Sequence, residues 1–130
     1  MAAGLATIKV LEEGTVYRHV DALSERLCGG LKKLAGEHTV RVAITGVKSM
    51  FQLHFGVGHL ANLRDQQGED RARATEFSHG MLTRGIYAIP RPWFMSAAHT
   101  EEDMDTVLDA AEEVFKEVRR AHPAAVGDPA

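Results

Sequence analysis

The apolar positions of this chain recur with two periods, and the switches between them outline its elements. Val16, Val20, Leu23, Leu27, Leu31 and Leu34 follow three-four spacing and predict a helix with one buried face, which Thr15 is placed to cap. Gly29 and Gly30 interrupt that seam. Each costs up to about 1 kcal/mol against Ala, unless it admits a close neighbour. Ahead of it, residues 1–13 predict a helix with Leu5, Ile8 and Leu11 near one face and Gly14 as its stop. No Ser, Thr, Asp or Asn precedes that first helix, so its opening amides lack a local cap. A fraying end or a chain that continues upstream accounts for this.

The period then falls to two. Residues 39–45 alternate with Val40, Val42 and Ile44 on one side, and Gly46 breaks the run. Residues 47–55 set Phe51, Leu53 and Phe55 against Met50, Gln52 and His54, which predicts a sheet with one buried and one more polar face. Residues 56–68 have no stable period and read as loop. Helical spacing returns over 70–84, with Ala74, Phe77, Met81 and Leu82 inward and Gly85 as the stop. A short strand over 86–89 ends at Pro90-Arg91-Pro92, where two of three residues lack an amide hydrogen.

The strongest local pattern comes last. Trp93, Phe94 and Met95 suit a strand, and Ser96-Ala97-Ala98 leads to Thr100 at a helix N-cap. Asp103 completes a variant capping box, and Glu101 and Glu102 match the positive end of the helix dipole. Met104, Val107, Leu108, Ala111, Phe115 and Val118 form one apolar face, while Lys116, Arg119 and Arg120 suit the C-terminal end. Residues 122–130, rich in Ala, Pro and Gly, predict a flexible tail.

Composition narrows the function class. The chain has 130 residues, 15 basic and 18 acidic, for a net charge of −3, which argues against a nucleic-acid or anionic-membrane surface. Arg64, Arg71, Arg73 and Arg84 are interrupted by Asp65, Glu69, Asp70 and Glu76, which predicts a solvated face. Cys28 is the single cysteine, so an internal disulfide is impossible and a reducing, cytoplasmic setting is expected. Its place in a helical seam predicts packing rather than reactivity.

Seven histidines raise the question of a metal, but none joins a second ligand type at zinc spacing. They are expected at surfaces and corners, with His99 shaping the turn before Thr100. Gly56-Val57-Gly58 is too short for a phosphate loop, and Ser49, Ser78 and Ser96 lack a nucleophile-elbow context.

FMSAAHTEEDMDTVLDAAEEVF resembles the C-terminal signature of class-III pyridoxal-phosphate (PLP) aminotransferases, above all their glutamate-1-semialdehyde aminomutase branch. Three further segments resemble the same family in the same order: MAAGLATIKVLEE, TGVKSMFQLHF and MLTRGIYAIPR. The resemblance implies an α+β fold, a small and largely antiparallel sheet with helices on one face, like the C-terminal domain of fold-type-I PLP enzymes. It implies a substrate-cleft domain over residues 1–121 whose large catalytic domain is absent, and the family's S-G-N-P-type segment before the first helix favours a longer chain. Lys9, Lys32, Lys33, Lys48 and Lys116 all stand outside the family's lysine motif, so no catalytic or cofactor-binding residue is assigned in this chain. PLP belongs to the full-length family, and the expected partners are the large domain and further copies in a homo-oligomer.

Two departures bear on specificity. Lys48 stands where the family often has Gly, and the Glu of its Q-F-E-A-x-F segment is missing between Pro90 and Phe94. A related aminotransferase acting on another amine therefore stays open beside the aminomutase. A free-standing binding module derived from the same domain is the alternative of a different class. Arg91, held between two prolines, is the one candidate substrate contact, suited to fork a carboxylate. An exposed loop arginine is the plain alternative.

Overall fold

The computed structural model describes residues 1–123. The expected tail therefore lies almost wholly outside the described residues. Within them run α1 (Ala2–Glu12), α2 (Thr15–Glu37), β1 (Val42–Val47), β2 (Met50–Phe55), a 3-10 turn (Asp65–Gly68), α3 (Arg71–Thr83), β3 (Trp93–Phe94) and α4 (Glu101–Ala121). The three strands form one antiparallel sheet in the order β1-β2-β3. This is the α+β arrangement, with a small antiparallel sheet, that the resemblance implies.

The sheet sorts its two faces by register. Phe51, Leu53 and Phe55 point to the helices and are buried with Leu27, Leu31, Phe77, Met81, Met104 and Phe115. Val42, Ile44 and Gly46, opposite Phe55, Leu53 and Phe51, share that inner face. The outer face carries Thr45, Gln52 and His54 and ends in Val47, Met50 and Phe94, which pair across the strands and are all exposed. Trp93 leans on Phe51, ring centroids 5.6 Å apart, and so fixes β3 to the sheet.

Four boundaries differ from the expected ones. Thr15 is the first residue of α2 rather than its cap; Gly14 takes that place at φ +71°, with no side-chain cap bond. β1 begins at Val42, because 39 and 40 finish α2: Thr39 turns left-handed (φ +56°) and the Val40 amide donates back to Ala35 O at 2.8 Å. Gly46 does not end β1. It lies inside the strand at φ +141°, where any Cβ would strike the β2 backbone at Met50 and Phe51, and Val47 pairs with Met50 across the turn. The turn itself falls at Lys48-Ser49, with Lys48 at φ +50°. Residues 86–89 form no strand, since the Ile86 amide closes the end of α3 on Met81 O and Ala88 N–H turns back to Ile86 O.

The paired glycines of α2 separate. A Cβ on Gly30 would run into the Leu108 side chain of α4, whereas a Cβ on Gly29 meets nothing within 4 Å. Gly30 thus admits the helix–helix contact and Gly29 is only a weak point in the helix. Gly29→Ala should raise the unfolding free energy by about 0.5–1 kcal/mol. Gly30→Ala should gain less or lose stability, because Leu108 must leave its rotamer. Urea denaturation of both variants checks this, and an equal gain at both positions would refute the packing role.

Candidate functional site

Arg91 sits in the bend that leads into β3. Its own amide donates to Ile89 O at 2.8 Å, and the Trp93 indole N–H donates to the same carbonyl at 3.1 Å. One acceptor therefore ties both flanks of the Pro90-Arg91-Pro92 bend, with Trp93 anchored on Phe51. The Arg91 side chain is exposed, beside a small cleft that Phe77 and Ser78 of α3 also line. Among the described residues no hydrogen bond or ion pair engages its guanidinium, so the fork is available to an anion.

Next to this bend opens a groove of about 550 Å³, lined by Tyr87, Trp93, Phe94, Met95 and Met104 of α4. His99 and Asp103 stand at its rim. His99 Nδ1 accepts the Ser96 amide at 3.0 Å, and the His19 ring donates its Nε2–H to His99 O at 2.9 Å, which locks the corner to α2. The corner role read for His99 holds. Beyond it the capping box is complete: Asp103 Oδ2 accepts from the Thr100 amide (2.8 Å) and hydroxyl (2.9 Å), and Thr100 Oγ accepts the Asp103 amide (3.2 Å).

The groove rests on α4, the element most legible in the sequence. The comparisons bear on what such an arrangement belongs to. No family model matches the chain. It is 37% identical over 121 residues to the glutamate-1-semialdehyde 2,1-aminomutase of Desulfatibacillum aliphaticivorans, covering 91% of this chain and 28% of that protein. It is 39% identical over 119 residues to the aminomutase of Thermus thermophilus, covering 88% of this chain and 28% of that one. A solved structure of the FumI protein of Sphingopyxis sp. MTA144, in its PLP internal aldimine form, superposes with a TM-score of 0.78 over 95% of this chain at 25% identity. An omega-transaminase from Sphaerobacter thermophilus gives 0.66 over 79% at 22% identity. This chain matches the C-terminal part of the aminomutase and PLP-transaminase family. It spans 28% of the length of those aminomutases.

Against that family the lysines are informative. Lys9, Lys32 and Lys33 are exposed on α1 and α2. Lys48 binds Asp21 of α2 at 2.6 Å, and this hydrogen-bonded carboxylate raises its pKa. Lys116 lies between Glu112 and Glu113, which raise its pKa in the same way. A lysine that condenses with a carbonyl needs the opposite shift, toward a neutral amine, and a pocket around it. None of these five lines a groove described here. At Lys48 the backbone is left-handed, a conformation that favours Gly, and the exposed side chain pairs with Asp21.

His54 is the residue the sequence reading misplaced. It was expected at a surface or corner, yet it is buried on the outer sheet face, with Nδ1 3.2 Å from Glu69 Oε1 and Nε2 2.8 Å from Thr45 Oγ. Its period-two position gave the face correctly. What covers that face is Glu69, from a segment without any period. Cys28 is half-buried against the core, and this burial raises its thiol pKa, which agrees with a packing role.

The capping box should reveal itself in acid. Hydrogen bonds from the Thr100 amide, then its hydroxyl, hold the Asp103 carboxyl below the ordinary value of 3.8. Because the folded value is the lower one, the box stabilises fully above that ordinary value and is lost as pH falls through the folded value. Asp103→Ala should therefore destabilise most near neutrality, and the gap from wild type should shrink below the ordinary aspartate range. Paired denaturation series down to about pH 2 test this. A gap that keeps its size throughout would exclude the charged cap.

Proposed function

We propose that residues 1–121 are the small C-terminal domain of a PLP-dependent aminotransferase or aminomutase, where they shape the substrate cleft and are inactive alone. The observation that carries this reading is the near-complete match of this chain to a stretch that is only 28% of its relatives. Two apolar surfaces support it. Helix α1 buries no residue and exposes Leu5, Ile8 and Val10, and the outer sheet face exposes Val47, Met50 and Phe94. Surfaces of this kind mark contacts with further protein. We assign the outer face to the larger domain and α1 to association between copies, as a homo-oligomer. With a single cysteine and no described helix long and apolar enough to cross a membrane, the setting we propose is the cytoplasm.

In this reading the cofactor is PLP, which supplies the electron sink for amino-group chemistry, and the larger domain holds it. Arg91 contributes from this side by gripping a substrate carboxylate. Its bend is braced on both flanks, and its guanidinium is uncommitted among the described residues. Lys in its place would offer a point charge without the fork.

The test is a transplant. The C-terminal part of the Thermus thermophilus aminomutase is deleted, then replaced by this chain. Deletion should abolish turnover, and the chimera should recover it; a folded chimera that carries PLP but never turns over would overturn the reading. In an active chimera, Arg91→Lys should lower kcat/KM by roughly one to two powers of ten, since a charged hydrogen bond is worth about 1.5–3 kcal/mol. The cofactor's absorbance should not change. An unaltered kcat/KM returns Arg91 to the status of a loop arginine.

The isolated chain should behave differently. Incubated with PLP and reduced with borohydride, it should show only scattered, substoichiometric lysine labelling by peptide mass mapping. One lysine modified to completion would contradict the assignment of the cofactor to the larger domain.

A further inference from the structure

Residues 57–69 join β2 to α3 as a closed loop with its own bracing. Gly56, at φ +81°, would bring a Cβ within 3.0 Å of Asp70 Cβ, so the two ends of the loop touch. The Gly56 amide donates to Arg41 O at 2.9 Å and the Asp70 amide to Phe55 O at 2.8 Å, which pins this neck to the sheet. Inside the loop, Asp65 Oδ2 accepts the Ala61 and Asn62 amides at 2.8 and 3.1 Å. Asn62 Oδ1 accepts the Arg64 amide at 2.8 Å in return. Compact loops of this kind, closed at the neck and packed by their own side chains, move as units rather than unravelling. The tip, with Leu63 and Arg64, is exposed.

One side-chain hydrogen bond holds the loop's returning end to the body: Glu69 reaches the buried ring of His54. Within the loop, Val57 is buried with Gly68 packed beside it. The Glu69 and His54 side chains are only 11% and 5% exposed, so water competes poorly for this bond. To donate to a carboxylate, His54 carries its hydrogen on Nδ1. Its Nε2 then accepts the Thr45 hydroxyl when the ring is neutral, and donates to the same oxygen when it is charged. The ring is satisfied in either state. Arg41, whose guanidinium lies beside Gly58, and the Asp70–Arg73 pair are the other charges at this neck.

We propose that residues 57–69 are a self-braced flap and that the buried His54–Glu69 hydrogen bond is the latch that holds it against the outer sheet face. The latch joins strand β2 to the residue just before the α3 N-cap, so releasing it frees the flap at its neck while its internal turns survive. The body below keeps its own core, since Phe55 and Leu53 face the other way.

Hydrogen exchange on the whole chain tests the latch. In Glu69→Ala the Asp70 and Gly56 amides should exchange at least about tenfold faster, as should trypsin cleavage after Arg64, while amides of α2 and the β1–β2 pairs keep their protection. His54→Ala, which removes the Nδ1–H donor, should give the same pattern. Glu69→Gln keeps an acceptor for Nδ1–H and should stay close to wild type. If neck amides and cleavage are unchanged in Glu69→Ala, there is no latch. If α2 and sheet amides accelerate by the same factor, His54–Glu69 is a general stability contact and the proposal is overturned.

Discussion

The contact on which the rest depends is the aromatic cluster of Phe55, Phe77 and Phe115. Phe55 ends β2, Phe77 sits mid-α3 and Phe115 lies on α4, with ring centroids 5.2, 4.9 and 6.3 Å apart. Each ring comes from a different element, and all three are essentially inaccessible to solvent. Tilted aromatic packing of this kind contributes roughly 0.5–1.5 kcal/mol per pair beyond burial itself. Gly80 lets α3 approach α4 closely at Val114, one turn from Phe77, and Gly30 does the same for α2 at Leu108. With these approaches set, the three helices have one place to lie over the sheet. Everything that faces outward is positioned from there.

The features that lie within one element, or between neighbours three or four apart, were legible in the sequence. The capping box of α4, its apolar stripe, the α2 seam and the inner row Phe51-Leu53-Phe55 all follow from local chemistry. The misreadings around Gly46, Thr39 and Lys48 share one cause. At Gly46, Thr39 and Lys48 the backbone takes a positive φ that residue type does not announce, twice in a residue with a side chain. A glycine inside a strand and a threonine in a left-handed turn exist because partners elsewhere reward them. For Gly46 the partner is the β2 backbone, and for Thr39 it is the Val40 amide returning to Ala35 O. His54 was missed for the same reason, since Glu69 is fifteen positions away in a loop without period. Arg91 was visible as a rigid position between prolines, but the bracing by Ile89 O and the Trp93 indole was not.

The fold covers one side of the sheet and leaves part of the other exposed. The inner face spends its large side chains on helices, while the outer face mixes a satisfied polar end at Thr45 and His54 with an exposed apolar row at Val47, Met50 and Phe94. Fully burying side chains of that size is worth about 1.5–3 kcal/mol each, so leaving three in one row is a sizeable forgone stabilisation. Scattered exposed apolar residues need no explanation, but a row aligned by strand register does. Helix α1 repeats the pattern with no buried residue at all.

The proposed role, a domain that closes over a cleft, calls for rigidity at its own core and adaptability where it would meet a partner. The aromatic cluster and the α4 corner supply the first property. Two bonded ends and one buried hydrogen bond give the loop over 57–69 the second, because a segment held at its neck can shift without disturbing Phe55 or Phe77. The Arg91 bend combines both: its backbone is tied by one carbonyl to a half-buried tryptophan, and its charged end remains free to reorient. A guanidinium so placed loses little backbone entropy on gripping an anion, since the prolines and the Ile89 carbonyl have already removed it. The preorganisation on which the proposed Arg91 contact rests thus comes from the same packing that fixes β3 to the sheet.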